Sequence, residues 1–306
     1  VTAVDLQDLL DGLSATTKAE LKSMPEVVDA TDDIDVGTLP ITARKWTRID
    51  DVVVVVADLK NSTKLGTGSR AASTAGIYEA GTGGLVRILD KFDADFIQIQ
   101  GDGAFAIFWG DLRYERAACA GITIKTNSLD LTNQIESKWP AKPETGFKVG
   151  IASGRVLVKR VGTPRNPAQQ EPVWPGKPVN YATKAAQSAD RHQMVVTGSV
   201  WDRFEKNDYL TFSCTCKDPS DSIWANFAID RLPEDEPEAQ GRVLTSQWCD
   251  VHGEEYCKAI LEGKKRRSEV NDLRDNMVRK QMEGAIRSKA SHERRDRFAH
   301  IQGLGA

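Results

Sequence analysis

The sequence predicts an α/β layer fold, an α+β sandwich, on three observations. From Trp46 to about Leu232 strand-like and helix-like segments alternate. Within that stretch the run Val52-Val53-Val54-Val55-Val56-Ala57 is apolar on both faces, as a central strand must be. Two more apolar runs, Phe96–Gln100 and Ala104–Trp109, flank Gly101-Asp102-Gly103, the pattern of a hairpin with a tight turn.

Taken in order, residues 1–45 read as a helical lead-in. Leu6, Leu9, Leu10 and Leu13 have helical spacing, and Leu21 continues it. A polar, acidic stretch from Thr31 to Gly37, followed by Pro40, reads as a linker. The core is expected over 46–232. Its central strand is followed by a helical region, Ala71 to Phe92, interrupted by Gly81-Thr82-Gly83-Gly84. The Asp102 hairpin comes next, then a helix from Leu112 to Trp139 stopped by Pro140. A second hairpin is expected from Phe147–Ala152 and Val156–Val161, turning at Ser153-Gly154. Gly162 to Gly176 is Pro-bearing and reads as loop. Val179–Ala189 reads as helix, Val195–Thr197 as a short strand and Trp201–Lys206 as a short helix. Residues 233–306 form an extension with an acidic linker at Pro233–Glu238, a Cys/His cluster from Trp248 to Cys257, and a net basic tail from Lys258. That tail reads as a solvated or partner-binding helix rather than a nucleic-acid or membrane arm.

Composition narrows the classes. An apolar content of 40% over 306 residues supports one sizeable domain with appendages. A net charge of −3 gives no global electrostatic case for nucleic acid. No apolar run approaches the ~20 residues of a membrane helix. The start of the sequence shows no basic stretch followed by an apolar core, so a soluble, cytoplasmic protein is expected. Five cysteines, odd in number and mostly late, argue against a disulfide framework.

The chemistry concentrates on two carboxylates. Asp58 ends the central strand and Asp102 sits at the hairpin tip, so they meet if the two strands are neighbours. Such a like-charge pair is stabilised by a divalent cation. Two metals flanked by two carboxylates equip a site for in-line attack on phosphate. The turn Asp58-Leu59-Lys60-Asn61-Ser62-Thr63 leads from strand into helix, where outward backbone N–H groups suit a triphosphate. Ser62 and Thr63 suit a cap or a phosphate contact. Gly66-Thr67-Gly68 and Gly81-Thr82-Gly83-Gly84 do not follow a strand at dinucleotide-binding spacing. Cys214, Cys216, Cys249, His252 and Cys257 include soft metal ligands. Their spacing fits no compact zinc-finger pattern, so buried structural cysteines are expected, with a zinc site as the alternative. Cys119, in an Ala-Ala-Cys-Ala run, is expected in the core.

These motifs resemble the class III nucleotidyl cyclases. That family carries an Asp-(Ile/Leu)-x-x-(Phe/Ser)-Thr turn, here Asp58 to Thr63, and a Gly-Asp hairpin, here Gly101-Asp102. Its Gly-Ile-x-x-Gly segment is here Gly150-Ile151-Ala152-Ser153-Gly154. Its Trp-Gly-x-x-Val-Asn-x-Ala-x-Arg segment appears here as Trp174-Pro175-Gly176-Lys177-Pro178-Val179-Asn180-Tyr181-Ala182-Thr183-Lys184. The match covers roughly 46–215.

The resemblance implies a ferredoxin-like, palm-type core and a role for each matching residue. Asp58 and Asp102 would hold two Mg²⁺ or Mn²⁺ ions per active site, helped by the Leu59 carbonyl. Asn180 would orient the ribose, and Lys184 would stand where the family places an arginine that stabilises the transferring phosphate. Lysine keeps the charge but lacks the bidentate fork. The purine-reading lysine of adenylate cyclases is replaced by Gln98, and Trp174 with Pro175 occupies the neighbourhood of their second base-reading residue. The Glu and Cys of guanylate cyclases are missing too. This pattern resembles the pyrimidine cyclases of the Pycsar antiphage systems. It implies a UTP-preferring enzyme whose cyclic nucleotide acts on a separate effector, with cytidylate or adenylate cyclase, or an inactive nucleotide sensor, as alternatives. The family further implies a homodimer, with the two aspartates and the Asn180/Lys184 pair coming from opposite protomers.

Overall fold

The computed structural model describes residues 4–30, 34–41, 43–66, 70–163, 165–216, 220–279 and 282–283. The central apolar run lies inside a longer strand, β2, Lys45–Leu59, preceded by helix α1, Leu6–Leu21, and strand β1, Glu26–Asp29. Short helix α2, Ser62–Gly66, and helix α3, Ala71–Lys91, follow β2. The expected hairpin is β3, Phe96–Gln100, with β4, Gly103–Phe108, and helix α4, Arg113–Lys138, comes next. Then come β5, Phe147–Gly162, β6, Gln170–Val173, helix α5, Lys177–Ser188, and β7, Gln193–Val196. The chain closes with α6, Gly198–Phe204, α7, Asp208–Thr211, β8, Trp224–Ala228, β9, Gln240–Leu244, and α8, Gly253–Leu261. The sheet order is β3-β4-β2-β5-β7-β9-β8, with β1 beside β2 and β6 beside β5.

Strand periodicity sorts β2 between two layers. Val53, Val55 and Ala57 join Leu85 and Leu89 of α3 and Ile122 and Ile124 of α4 in one core. Val52, Val54 and Val56 face the other way, towards Phe105, Ile107, Trp174 and Ala182 and Ala186 of α5. Burying both faces explains the unbroken valine run.

Five expectations need correction. Helix α3 is not interrupted at its glycines. The helix runs unbroken from Ala71 to Lys91 through these glycines, and a Cβ on Gly81 would make only ordinary contact with the Phe147 ring at 3.6 Å. Residues 147–162 form one strand, not a hairpin. Asp50 and Asp51 of β2 bulge opposite Arg155, between the Ile49–Val156 and Val52–Gly154 pairs, and Gly154 at φ +141° absorbs the bend. The expected loop at 162–176 contains β6, which turns back antiparallel on β5. The lead-in is not purely helical: β1 pairs parallel with the start of β2, and Val36 is buried. Helix α1 buries none of its residues and leaves Leu6, Leu9, Leu10 and Leu13 exposed.

The fifth correction concerns the boundary at 232. The sheet continues past it, because β9 lies between β7 and β8. The acidic segment before β9 is tied down. Tyr181 Oη and Lys177 Nζ donate to Glu236 at 2.6 and 3.0 Å, and Ser199 donates its N–H and hydroxyl to Glu238. Beyond α8, the fully buried Asp208 accepts from the Arg267 N–H at 2.9 Å and from Arg266 and Arg274. Residues 271–279 are helical. Among the described residues no helix is long and apolar enough to cross a membrane.

Candidate active site

The strand register brings the two aspartates to one end of the sheet. Val56 stands opposite Phe105 and Ala57 opposite Ala104, so Asp58 reaches the level of Gly103, one residue from Asp102. The approach is close: a Cβ on Gly103 would lie 2.3 Å from the Ala57 carbonyl oxygen and 3.2 Å from the Asp58 Cα. Only glycine fits there. Asp102 follows Gly101, whose φ of +64° gives the hairpin its turn. Both aspartates are partly accessible.

One face of the sheet carries the site in layers. Asp58 and Gly103 form the first level. Val56, Phe105 and Gln98, directly opposite Phe105, form the second. Val54, Ile107 and Phe96 form the third, backed by Trp174 with its ring 4.9 Å from that of Phe96 and 6.1 Å from that of Trp109. Trp174 is 8% exposed. It therefore supports the wall from behind rather than lining an open pocket, and its buried indole Nε1 has no hydrogen-bond partner among the described residues. Gln98 is half-buried.

The turn after Asp58 is held by the segment that precedes β5. The Lys60 N–H donates to the Gly146 carbonyl at 3.0 Å, Thr145 Oγ1 donates to the Lys60 carbonyl at 2.8 Å, and Asn61 Nδ2 donates to the Glu144 carbonyl at 2.9 Å. Asn61 has φ +60°, and its carbonyl accepts from the N–H groups of Lys64 and Leu65 to open α2. Leu59 is buried. The Lys60 ammonium is paired with Asp190, which holds the Asp190 carboxyl below its ordinary range. Ser62 begins α2 half-buried, and Thr63 follows it on the surface. Expected phosphate contacts at Lys60 and Asn61 thus have structural partners already.

One residue was not expected from the sequence. Lys148 sits directly opposite Asp58 on β5, with Nζ 2.7 Å from the Asp58 carboxylate and a side chain only 16% exposed. The signal was a lone lysine inside the apolar run Phe147–Ala152, two residues before Gly150 and so on the same face.

Asn180 and Lys184 lie elsewhere. Helix α5 packs through Ala182, Ala185 and Ala186, and so tightly that a Cβ on Gly150 would meet the Ala182 carbonyl oxygen at 2.1 Å. Asn180 is exposed and Lys184 half-buried. A cavity of about 160 Å³ opens between Asp58, Gln100, Gly103, Thr183 and Gln187, and neither Asn180 nor Lys184 lines it. Its carboxylate at the strand end, beside a second at the hairpin tip, makes an all-oxygen donor set of the kind that suits Mg²⁺ or Mn²⁺. Lys148 offsets one of the two carboxylate charges at that end and leaves a net negative site that suits a cation.

The late cysteines are not simply core residues. Cys214, Cys216, Cys249 and His252 bring three sulfurs and a ring nitrogen within 4.8 Å of one another. Cys257 stands apart and hydrogen-bonds the buried Cys119, which burial pushes well above the ordinary thiol range.

The model of the adenylate and guanylate cyclase catalytic domain matches residues 45–221. A protein of Micromonospora echinofusca named uridylate cyclase is 54% identical over 305 residues, covering 99% of this chain and all of that one. Another of that name, from Propioniciclava tarda, is 46% identical over 288 residues, 93% of each chain. The crystal structure of the adenylyl cyclase CyaB from P. aeruginosa superposes with a TM-score of 0.52 at 15% identity, over 66% of this chain and 96% of that one; this likeness shows the fold alone.

Proposed function

This chain belongs to the adenylate and guanylate cyclase catalytic-domain family and is a nucleotidyl cyclase, and from that premise we propose that it converts UTP to 3′,5′-cyclic UMP and pyrophosphate. The observation that carries the reading is Asp58 set beside the Asp102 hairpin on a face where Gln98 replaces a purine-reading lysine. The names of the two relatives point to the same base.

Asp58 and Asp102 would hold the divalent ions, with the Leu59 carbonyl as a further oxygen. Such ions would supply Lewis acidity for phosphoryl transfer at that end of the sheet. The ribose 3′-oxygen attacks the α-phosphorus, its proton passes to solvent, and the bond to the pyrophosphate oxygen breaks. Lys148 offsets charge on the triphosphate, exchanging part of its attraction to Asp58 for the phosphates. Gln98 presents an amide, donor and acceptor together, to the base edge. Asn180 orients the ribose and Lys184 stabilises the transferring phosphate, both contributed by a second copy of the chain. Two facts support that assignment: the Asp58 cavity is about 160 Å³, smaller than the roughly 300–1,000 Å³ of a small-molecule site, and neither residue lines it. The product then acts on a separate effector in antiphage defence, in the cytoplasm.

The test is incubation with Mn²⁺ and each of UTP, CTP, ATP and GTP, with products identified by mass spectrometry and Asp58→Ala as control. Cyclic UMP from the intact protein only is expected. Cyclic AMP or cyclic CMP would overturn the base assignment and leave the metal chemistry standing. No product from any of them would overturn the catalytic reading of this site.

A further inference from the structure

The geometry points to a structural zinc site formed by Cys214, Cys216, Cys249 and His252, separate from the aspartate centre. Cys216 Sγ lies 3.8 Å from Cys249 Sγ and 3.2 Å from His252 Nδ1, which is also 4.0 Å from Cys249 Sγ. A tetrahedral ion with bonds of about 2.3 Å to sulfur and about 2.0–2.1 Å to nitrogen sets its ligand atoms about 3.5–3.8 Å apart. Three of the four atoms therefore already stand near such separations, and Cys214 Sγ lies within 4.8 Å of each of them. Three soft thiolates and an imidazole select zinc among the common divalent ions, whereas Mg²⁺ and Mn²⁺ suit the oxygens of Asp58 and Asp102. A disulfide between Cys216 and Cys249 would explain two of the four groups and leave Cys214 and His252 converging for no reason.

The position in the fold says what the ion does. Cys214 and Cys216 follow α7, on one side of the β8–β9 pair; Cys249 and His252 follow β9 and lead into α8. The Cys249 carbonyl accepts from the Gly253 N–H at 2.7 Å, fixing the turn that carries both ligands. Zinc would clamp the two sides of this strand pair together and fasten α8 to the sheet. All four corners are filled by protein, the closed arrangement of a structural rather than a catalytic ion. Nδ1 faces the sulfurs, so it is the ligating nitrogen and Nε2 carries the proton. The buried Lys125 lines the same cavity as the three cysteines, placing a cation near a centre of net charge −1. Binding releases the thiol protons to solvent, so the site also couples metal to folding.

The experiment is metal analysis of the full chain purified without added zinc, together with X-ray absorption at the zinc edge. About one zinc per chain is expected, with three sulfur neighbours near 2.3 Å and one nitrogen near 2.0–2.1 Å. Asp58→Ala and Cys257→Ser are expected to retain it. Cys216→Ser, at an exposed position, is expected to retain zinc at least about a hundredfold more weakly. Zinc-free protein with titratable thiols, a Cys216–Cys249 disulfide in peptide mapping, or zinc bound by nitrogen and oxygen alone would each overturn the site. The spectrum of the unsubstituted protein decides even where a variant fails to fold.

Discussion

Asp58 is paired with Lys148 in the chain and is proposed to hold divalent metal during turnover, and the competition between the two makes its neighbours testable. Asp58→Ala and Asp102→Ala are each expected to lower kcat at least about a hundredfold with any triphosphate, since each removes a proposed metal ligand whose effect would be several kcal/mol. Unchanged thermal unfolding alongside the lost activity would separate chemistry from folding. Lys148→Met leaves the carboxylates in place and is expected to raise KM for UTP about tenfold, the loss of one charge-assisted contact; initial-rate kinetics check it. His192 provides a pH test of stability. Its Nδ1 lies 3.0 Å from Ser128 Oγ, which also accepts from the Phe147 N–H. Burial, then Arg191 and Lys125, holds its pKa below the ordinary value of 6.5. The folded protein thus binds the proton less readily than the unfolded chain. This contribution is fully present above pH ~6.5 and is lost as pH falls through the depressed folded value. Denaturant midpoints from pH 7.5 down to about 5 should fall less steeply in His192→Gln than in the native chain.

At the scale of elements, close approaches at two glycines set the site. Gly150 lets α5 lie directly on β5, and Gly103 lets the hairpin tip close on Asp58. Gly150→Ala drives a methyl group into the Ala182 backbone and is expected to cost about 1–3 kcal/mol. It displaces the helix bearing Asn180 and Lys184, so the activity loss should exceed the loss of folded protein seen by circular dichroism. The β5 bend follows the same logic. Ser153-Gly154 looks like a turn to a local reading, yet the strand runs on, because the 15 residues of β2 give it a partner along its length and a two-for-one bulge at Asp50-Asp51 accommodates the bend.

At the scale of the whole molecule, the extension and the catalytic sheet are one body. β9 is an interior strand contributed from beyond residue 232, and the carboxylate of Asp208 is enclosed by groups from residues 266–274. A chain ending at 232 strips β7 and β8 of their shared partner and leaves Asp208 buried without its cations, which costs about 3–5 kcal/mol for the charge alone. It is expected to lack a cooperative unfolding transition in calorimetry, and a sharp transition would count against the integrated sheet. The proposed dimer makes its own prediction. Mixed Asp102→Ala and Asn180→Ala proteins, each inactive alone, should regain activity through one intact site per dimer. Two folded proteins that fail to complement would show that Asn180 does not act across an interface.

What the sequence determined by itself is what local pattern encodes. The valine run, the Gly-Asp-Gly turn and the Asp58–Thr63 segment each carry their meaning within a few residues, so the central strand, the hairpin and the pair of aspartates were legible before any coordinates. Tertiary structure decided what depends on distant chain. Lys148 meets Asp58 only through the β2–β5 register. Trp174 is withdrawn from the pocket because Phe96 and Trp109 enclose it. Cys214 and Cys216 reach Cys249 and His252 because β8 and β9 pair and return the chain to the same edge. Spacing along the sequence cannot report such meetings, since the free energy that enforces them is the burial of side chains from separate elements against one another.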